Sequence, residues 1–171
     1  MGSSIPVAKV VSGGQTGADR AALDAALRLG VAYGGWCPRG GLAEDLPRPP
    51  GLLARYPGLT EAPTPEPAER TRLNVRDSDG TLVLTRRPGR LTGGTALTVR
   101  IAEELGKPLL VVSPDTGAAA EEVRAWLART GVRVLNVAGP RESKEPGLYD
   151  ATTRVLERVL RPAHGAGGTP S

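Results

Sequence analysis

Apolar residues along this chain gather into short unbroken runs, and between the runs they recur every three or four positions. Residues 5–12 (IPVAKVVS) hold the first run and read as a strand. Residues 17–29 take up helical spacing, with Leu23, Ala26, Leu27 and Gly30 on one stripe and Gly30 as the stop. On another face Arg20, Asp24 and Arg28 follow one another at the i, i+4 spacing of helix ion pairs. Residues 31–36 read as a second short strand, 68–78 as a short helix and 81–85 (TLVLT) as a buried strand. A helix over 95–106 is halted by Gly106 and Pro108, and 108–112 (PLLVV) is again a buried strand. Residues 115–131 predict a helix capped near Asp115, with Val123, Trp126 and Leu127 toward the core. The last strand falls at 132–139 and the last helix at 149–161, opened by Pro146. Unbroken apolar strands alternating with helices predict an α/β fold: a Rossmann-like doubly wound, mainly parallel sheet with helices on both faces.

One stretch breaks this rhythm. Residues 38–67 hold eight of the sixteen prolines and read as a long irregular excursion, of the kind that serves a function or forms a lid. Residues 1–162 are expected to form a single ligand-binding domain, and 163–171, with the lone His164, a flexible Gly/Pro-rich tail. One histidine excludes histidine catalysis and a multi-histidine metal site within the chain. The single cysteine, Cys37, excludes an internal disulfide and points to the cytoplasm; with no histidine to activate it, it reads as a buried thiol. No apolar run approaches a membrane span, and no secretory leader is visible. The net charge is +4, and 19 of the 22 basic residues are arginine, spread along the chain among acids. With no Phe, three Tyr and two Trp there is no aromatic platform, so nucleic acid is disfavoured as a partner.

In doubly wound sheets the ligand sits beyond the carboxyl ends of the strands. There the sequence places SGGQTGAD (12–19), GWCPRGG (35–41), TRRPGRLTGGT (85–95) and GPRES (139–143). The first lacks the leading glycine of a dinucleotide fingerprint, having Ser12 there, and is no Walker A loop. What remains is phosphate or another anion at a helix N-terminus. Thr16 and Asp19 also fit a capping box, a role that needs no ligand. LTGGT repeats the device with Gly93, Gly94 and Thr95, unless it is a mere tight turn. Asp77 and Asp79 either serve turn chemistry or receive hydroxyls or a hydrated Mg²⁺; their spacing completes no EF-hand. Arg141, with Glu142 and Ser143 beside it, offers a fork for phosphate or carboxylate, and Arg39 and Arg70 are weaker candidates of that kind.

Taken in order, SGGQTGADRAALDAA, GGWCPRGGLAEDLP, RTRLNVRDSDGTLVL, GGTALTVRIAEELGKPLLVV and NVAGPRESKEPGLY resemble the molybdenum-cofactor carrier family, the circularly permuted YpsA-like branch of the SLOG Rossmann superfamily. The resemblance spans roughly residues 8–160. It implies a homo-oligomer, dimer or tetramer, with a pocket for a phosphorylated nucleotide-like or pterin ligand, molybdenum cofactor being the family's candidate. By the same resemblance Gly13, Gly14, Gln15, Thr16, Gly17 and Asp19 form a first anion loop, and Asp77, Ser78, Asp79 and Gly80 an acidic turn. Gly93, Gly94 and Thr95 form a second loop, and Gly139, Arg141, Glu142 and Ser143 a last wall. The superfamily also holds LOG-type nucleotide phosphoribohydrolases, whose PGGxGTxxE loop ends in a catalytic glutamate. Here GGTALT puts Thr98 near that position, and Glu103 lies more than a turn further on. A hydroxyl cannot take over that carboxylate's role. The leading expectation is a binding or carrier protein without covalent chemistry. Behind it stand a nucleotide N-glycoside or phosphate hydrolase using Asp79 or Glu142, with Mg²⁺ if required, and a DNA-processing nucleic-acid binder.

Overall fold

A computed structural model describes residues 7–161; His164, the expected tail and the first two positions of the expected first strand lie outside the described residues. In chain order the elements are β1 (Lys9–Val11), α1 (Ala18–Leu29), β2 (Ala32–Gly34), β3 (Trp36–Cys37), α2 (Leu52–Arg55), β4 (Thr60–Glu61), α3 (Pro67–Arg76), β5 (Gly80–Leu84), α4 (Gly93–Glu104), β6 (Leu109–Val112), α5 (Ala119–Thr130), β7 (Val134–Ala138) and α6 (Leu148–Leu160). Five strands form one parallel sheet in the order β2-β1-β7-β5-β6. The fold is Rossmann-like α/β, as the alternation of apolar runs predicts.

The unbroken apolar character of β5 follows from burial on both faces: all five of its residues are buried. Leu82 and Leu84, with Leu135 and Val137 of β7, belong to the main core with α1, α5 and α6. The alternate residues Thr81, Val83 and Asn136 point the other way, toward α3 and α4, which pack on each other. Asn136 Nδ2 donates to Thr81 Oγ1 across the paired strands at 3.3 Å.

Three local expectations are corrected. The i, i+4 ion pairs of α1 do not form, because longer-range partners take each side chain. Arg20 makes a bidentate pair with Asp45, and Arg28 reaches Glu157 of α6. Asp24 accepts the hydroxyls of Tyr56 and Tyr149. Leu27 leaves the apolar stripe and is 52% exposed. Helix α5 begins at Ala119 rather than near Asp115, whose carboxylate is drawn to Arg86 Nε at 2.7 Å.

The 38–67 excursion is irregular but anchored. It contributes α2 and the two-stranded pairing of β3 with β4, and a small second core gathers Leu23, Cys37, Ala43, Leu52, Tyr56 and Leu59. Cys37 is fully buried within it, and burial pushes its thiol above the usual range.

Candidate functional site

A cavity of about 380 Å³ opens where the sheet's carboxyl ends meet the loops after β1, β5 and β7 and the first turns of α3 and α4. Three of the four loops placed there by the sequence reading contribute to it; residues 35–41 do not.

The first Gly-rich loop is closed on its own chain. Thr16 does not cap α1: Gly17 is the N-cap residue, and no side chain bonds there. Instead the Thr16 hydroxyl donates to Glu44 and accepts the Glu142 N–H at 3.0 Å. Glu44 also accepts the Ser143 N–H (3.2 Å) and hydroxyl (2.7 Å), and Arg141 Nε lies 3.7 Å away. The Thr16 hydroxyl and Ser143 thus hold one of the chain's own carboxylates between the first loop and the last wall, supplied by the excursion. Burial pushes the Glu44 carboxyl up, but the hydrogen bonds from Thr16 and Ser143, with the Arg141 charge, outweigh it and hold it below its usual range. Gly17, at φ +81°, lies so close to the last wall that a Cβ would stand 2.4 Å from the Pro140 carbonyl oxygen. Gly14 joins the same closure, its carbonyl accepting Arg20 Nε at 3.0 Å. Gln15 still faces the cavity. Its carbonyl oxygen accepts the Thr16 and Glu44 N–H groups, which leaves its amide nitrogen without a protein partner among the described residues.

The second loop is open. Helix α4 begins at Gly93 with Thr92 as N-cap and no side-chain cap, and its first backbone bond of this end is Ala96 N–H to the Thr92 carbonyl. The N–H groups of Gly93, Gly94 and Thr95 are therefore free, and Gly94 and Thr95 line the cavity. Around them stand Arg87, Arg90 and Lys144, exposed cations whose side chains meet no acid or carbonyl among the described residues. Lys144 Nζ would lie 3.2 Å from a Cβ at Gly93, so the ammonium stands directly beside this helix start. A helix N-terminus with free donors and three unpaired cations is built to receive negative charge.

The floor is polar and buried. Asp19, 2% exposed, receives Arg70 Nη1 on Oδ2 at 3.1 Å. Burial pushes the Asp19 carboxyl above its usual range, although Arg70 and the Gln15 N–H both act to lower it. Asp19 therefore pairs with a side chain 51 residues away instead of completing a capping box. Gly13 lies under the guanidinium: a Cβ there would fall 2.0 Å from Nη1. Thr71 and Thr98 complete the floor, and Thr98 donates to the Gly94 carbonyl at 2.9 Å. Glu145 accepts the Thr85 hydroxyl and the Arg86 N–H on one side wall.

Of the residues named from the sequence, Gln15, Asp19, Arg70, Gly94, Thr95, Gly139 and Arg141 line the cavity, Arg39 does not, and Gly13 lies in a small recess behind it. Gly93 starts α4 at the rim; Gly14, Thr16, Gly17, Glu142 and Ser143 build the closed loop and its neighbour. Asp77, Ser78, Asp79 and Gly80 are placed elsewhere: the first three precede β5 and Gly80 begins it, so all four sit at the sheet's amino end. Asp77 binds Arg76 and the Trp36 indole N–H, and Asp79 accepts the N–H groups of Arg133 and Val134 where β7 begins. The Ser78 hydroxyl donates to the Asn74 carbonyl, ending α3. The Glu142 carboxylate accepts the Gly147 and Tyr149 N–H groups at 2.6 and 2.8 Å, holding the start of α6. Neither acid proposed for the hydrolase lines the cavity.

Sequence reading missed Glu44, Arg87, Arg90, Lys144 and Glu145. The arginines carried a signal, being packed into TRRPGR just ahead of the glycine pair. Glu44 carried none, since its partners lie 28 and 99 residues away.

The fold and cavity together define a Rossmann-like α/β domain with a cation-rimmed pocket at the carboxyl edge of its sheet. The sequence profile of the circularly permutated YpsA SLOG family matches residues 10–160, and the chain belongs to that family. It is also 45% identical to a protein of known crystal structure described as "Putative molybdenum carrier protein" from Syntrophus aciditrophicus SB. The match covers 91% of this chain and 96% of that one, with a TM-score of 0.82. No curated protein matches the chain.

Proposed function

We propose that the protein is a carrier that holds a phosphorylated nucleotide-like or pterin small molecule without transforming it, with molybdenum cofactor as its cargo. The observation that carries this reading is the open start of α4, ringed by Arg87, Arg90 and Lys144, which have no partner among the described residues, over a cavity of small-molecule size. Phosphate oxygens would take the free N–H groups and the three cations, and the polar floor would take the uncharged part of the ligand. The 45% identical crystal structure described as a molybdenum carrier supports this cargo. Among the described residues no cluster of three or more His, Cys, Asp or Glu could hold a metal ion.

The carrier reading is favoured over a hydrolase because the carboxylates of Asp79 and Glu142 are committed to backbone N–H groups outside the cavity. Among the described residues no helix is long and apolar enough to cross a membrane. Cytoplasmic location belongs to the same reading through the single cysteine, and homo-oligomerisation through the family resemblance.

A native mass spectrum of the protein as purified, set beside its denatured mass, tests cargo and oligomer number together. Extra mass that leaves on denaturation is expected. For the anion site, titration calorimetry with inorganic pyrophosphate is expected to show binding that weakens about tenfold or more in Arg87→Ala/Arg90→Ala and falls as salt rises. Equal affinity in the two proteins would overturn the assignment of this rim.

A further inference from the structure

The two edges of the main sheet are finished differently. At β2 the excursion folds back along the strand. The Tyr33 hydroxyl accepts the Gly58 N–H at 3.0 Å, its ring meets that of Tyr56 edge-on with centroids 6.4 Å apart, and the Gly35 carbonyl takes the Thr60 N–H at 2.9 Å. At the other edge, among the described residues, β6 pairs with β5 alone. The Thr81 and Thr85 N–H groups donate to the Pro108 and Val112 carbonyls, so alternate residues of β6 serve β5. Leu109 and Val111 therefore turn their N–H and C=O groups outward, where no backbone group of the described residues meets them. Leu109, Leu110 and Val111 are half-buried where a parallel strand is ordinarily enclosed, and Leu105 just ahead of them is 43% exposed. An open apolar strand edge is a surface suited to pairing with another strand.

The charges beside this edge select its partner. Helix α6 lies between α1 and α5, so the flank of α5 away from α6 overhangs β6. The α6 side of α5 is marked by two contacts: the Arg124 guanidinium reaches the Arg158 carbonyl, and Arg158 Nη2 reaches Glu121 at 2.6 Å. At about 100° per residue, Glu122 and Arg129 fall on the opposite flank, above the open edge. Both are exposed, and neither has an ion-pair partner among the described residues. Opposite charges thus stand at opposite ends of one flank. A two-fold axis through β6 runs two edge strands antiparallel and lays the start of each α5 beside the end of its mate. Glu122 of each copy then meets Arg129 of the other, so the surface complements itself. A parallel pairing would set like charges together. On the other face of the sheet Leu97 of α4 packs toward Val75 of α3, and Val99 falls on the flank away from α3, half-buried. A four-residue strand alone cannot bury the roughly 1,200 Å² that a stable dimer needs, so α4 and α5 belong to the contact.

We propose that β6 joins two copies of this chain, antiparallel about a two-fold axis, with α4 and α5 of each closing the seam on its two faces. This rests on the homo-oligomer part of the reading above and adds the surface that forms it; the identity of the cargo does not enter.

Sedimentation velocity on the intact protein over a range of concentrations is the test. The native chain is expected to sediment as a dimer, or as a tetramer built from such dimers. Glu122→Arg alone and Arg129→Glu alone each place like charges across the seam at both contacts, and each should weaken the dimer about tenfold or more. An equimolar mixture of the two variants restores opposite charges at both contacts and should return to the native assembly. Val111→Pro, confirmed as folded by its circular dichroism, removes an outward N–H that β5 does not use and should halve the mass of the assembly. If the native protein is a monomer at every concentration, the homo-oligomer reading and this interface fall together. If it assembles, and neither the charge variants nor Val111→Pro change the assembly, the contact lies elsewhere and only this inference falls.

Discussion

Arg70 and Asp19 meet through a glycine. A buried carboxylate is tolerated only when paired, and here its partner crosses the first loop at the position where Gly13 lacks a side chain. Gly13→Ala should expel the guanidinium and leave Asp19 buried without its cation. Urea denaturation is expected to show a loss of about 3 kcal/mol, the scale of breaking a buried pair. A loss within about 0.5 kcal/mol, as for an ordinary surface change, would mean the pair re-forms by another path. None of this was legible in SGGQTGAD. A glycine ahead of a helix announces a tight or crowded backbone, but not which distant side chain does the crowding. Asp19 looked like half of a capping box because its local spacing was right, and only an arginine 51 residues away redirects it.

At the scale of elements, the excursion is a wall tied down by adjacent acids. Glu44 reaches both the first loop and the last wall, and Asp45 makes its bidentate bond to Arg20 of α1. The hydrogen bond from Arg20, with its charge, holds the Asp45 carboxyl below its usual range, as the bonds from Thr16 and Ser143 do for Glu44. A carboxylate depressed in the folded state contributes stability that is present above its unfolded value and lost as pH falls through the folded one. Both ties should therefore hold at neutral pH and fade below about pH 4, the ordinary carboxylate range. Thermal unfolding across that range is expected to show a falling midpoint in the native protein. Glu44→Gln/Asp45→Asn should start lower at pH 7 and fall less steeply; parallel curves would remove the ties from the acid response. The two Gly-rich loops read alike in sequence, yet the Thr16 hydroxyl of one holds Glu44 while the other meets no acid among the described residues. Composition marks a loop that suits an anion, while the fold decides whether the chain supplies one first.

For the whole molecule, strands and helices were legible because the apolar runs mark strands of a parallel sheet covered by helices, fully so at β5, whereas β6, expected as buried, lies at the sheet's edge and is half-buried at Leu109, Leu110 and Val111. Element ends shifted where a side chain found a distant partner, as Asp115 did with Arg86. The order of strands was not legible, since every strand of the sheet carries the same apolar signature. That order has β7 at the centre, with β2-β1 on one side and β5-β6 on the other. The strand synthesised last is the one that joins the two halves, and its loop supplies Gly139 and Arg141 to the cavity. A nascent chain leaving the ribosome would carry two separate pairs of strands, neither able to cover its inner edge, until β7 is made. A fragment ending at residue 131 is accordingly expected to show no cooperative thermal transition by circular dichroism. Folding of the sheet and completion of the cavity would then come together once β7 is made, so a chain that stops short of it offers no partial pocket to a ligand.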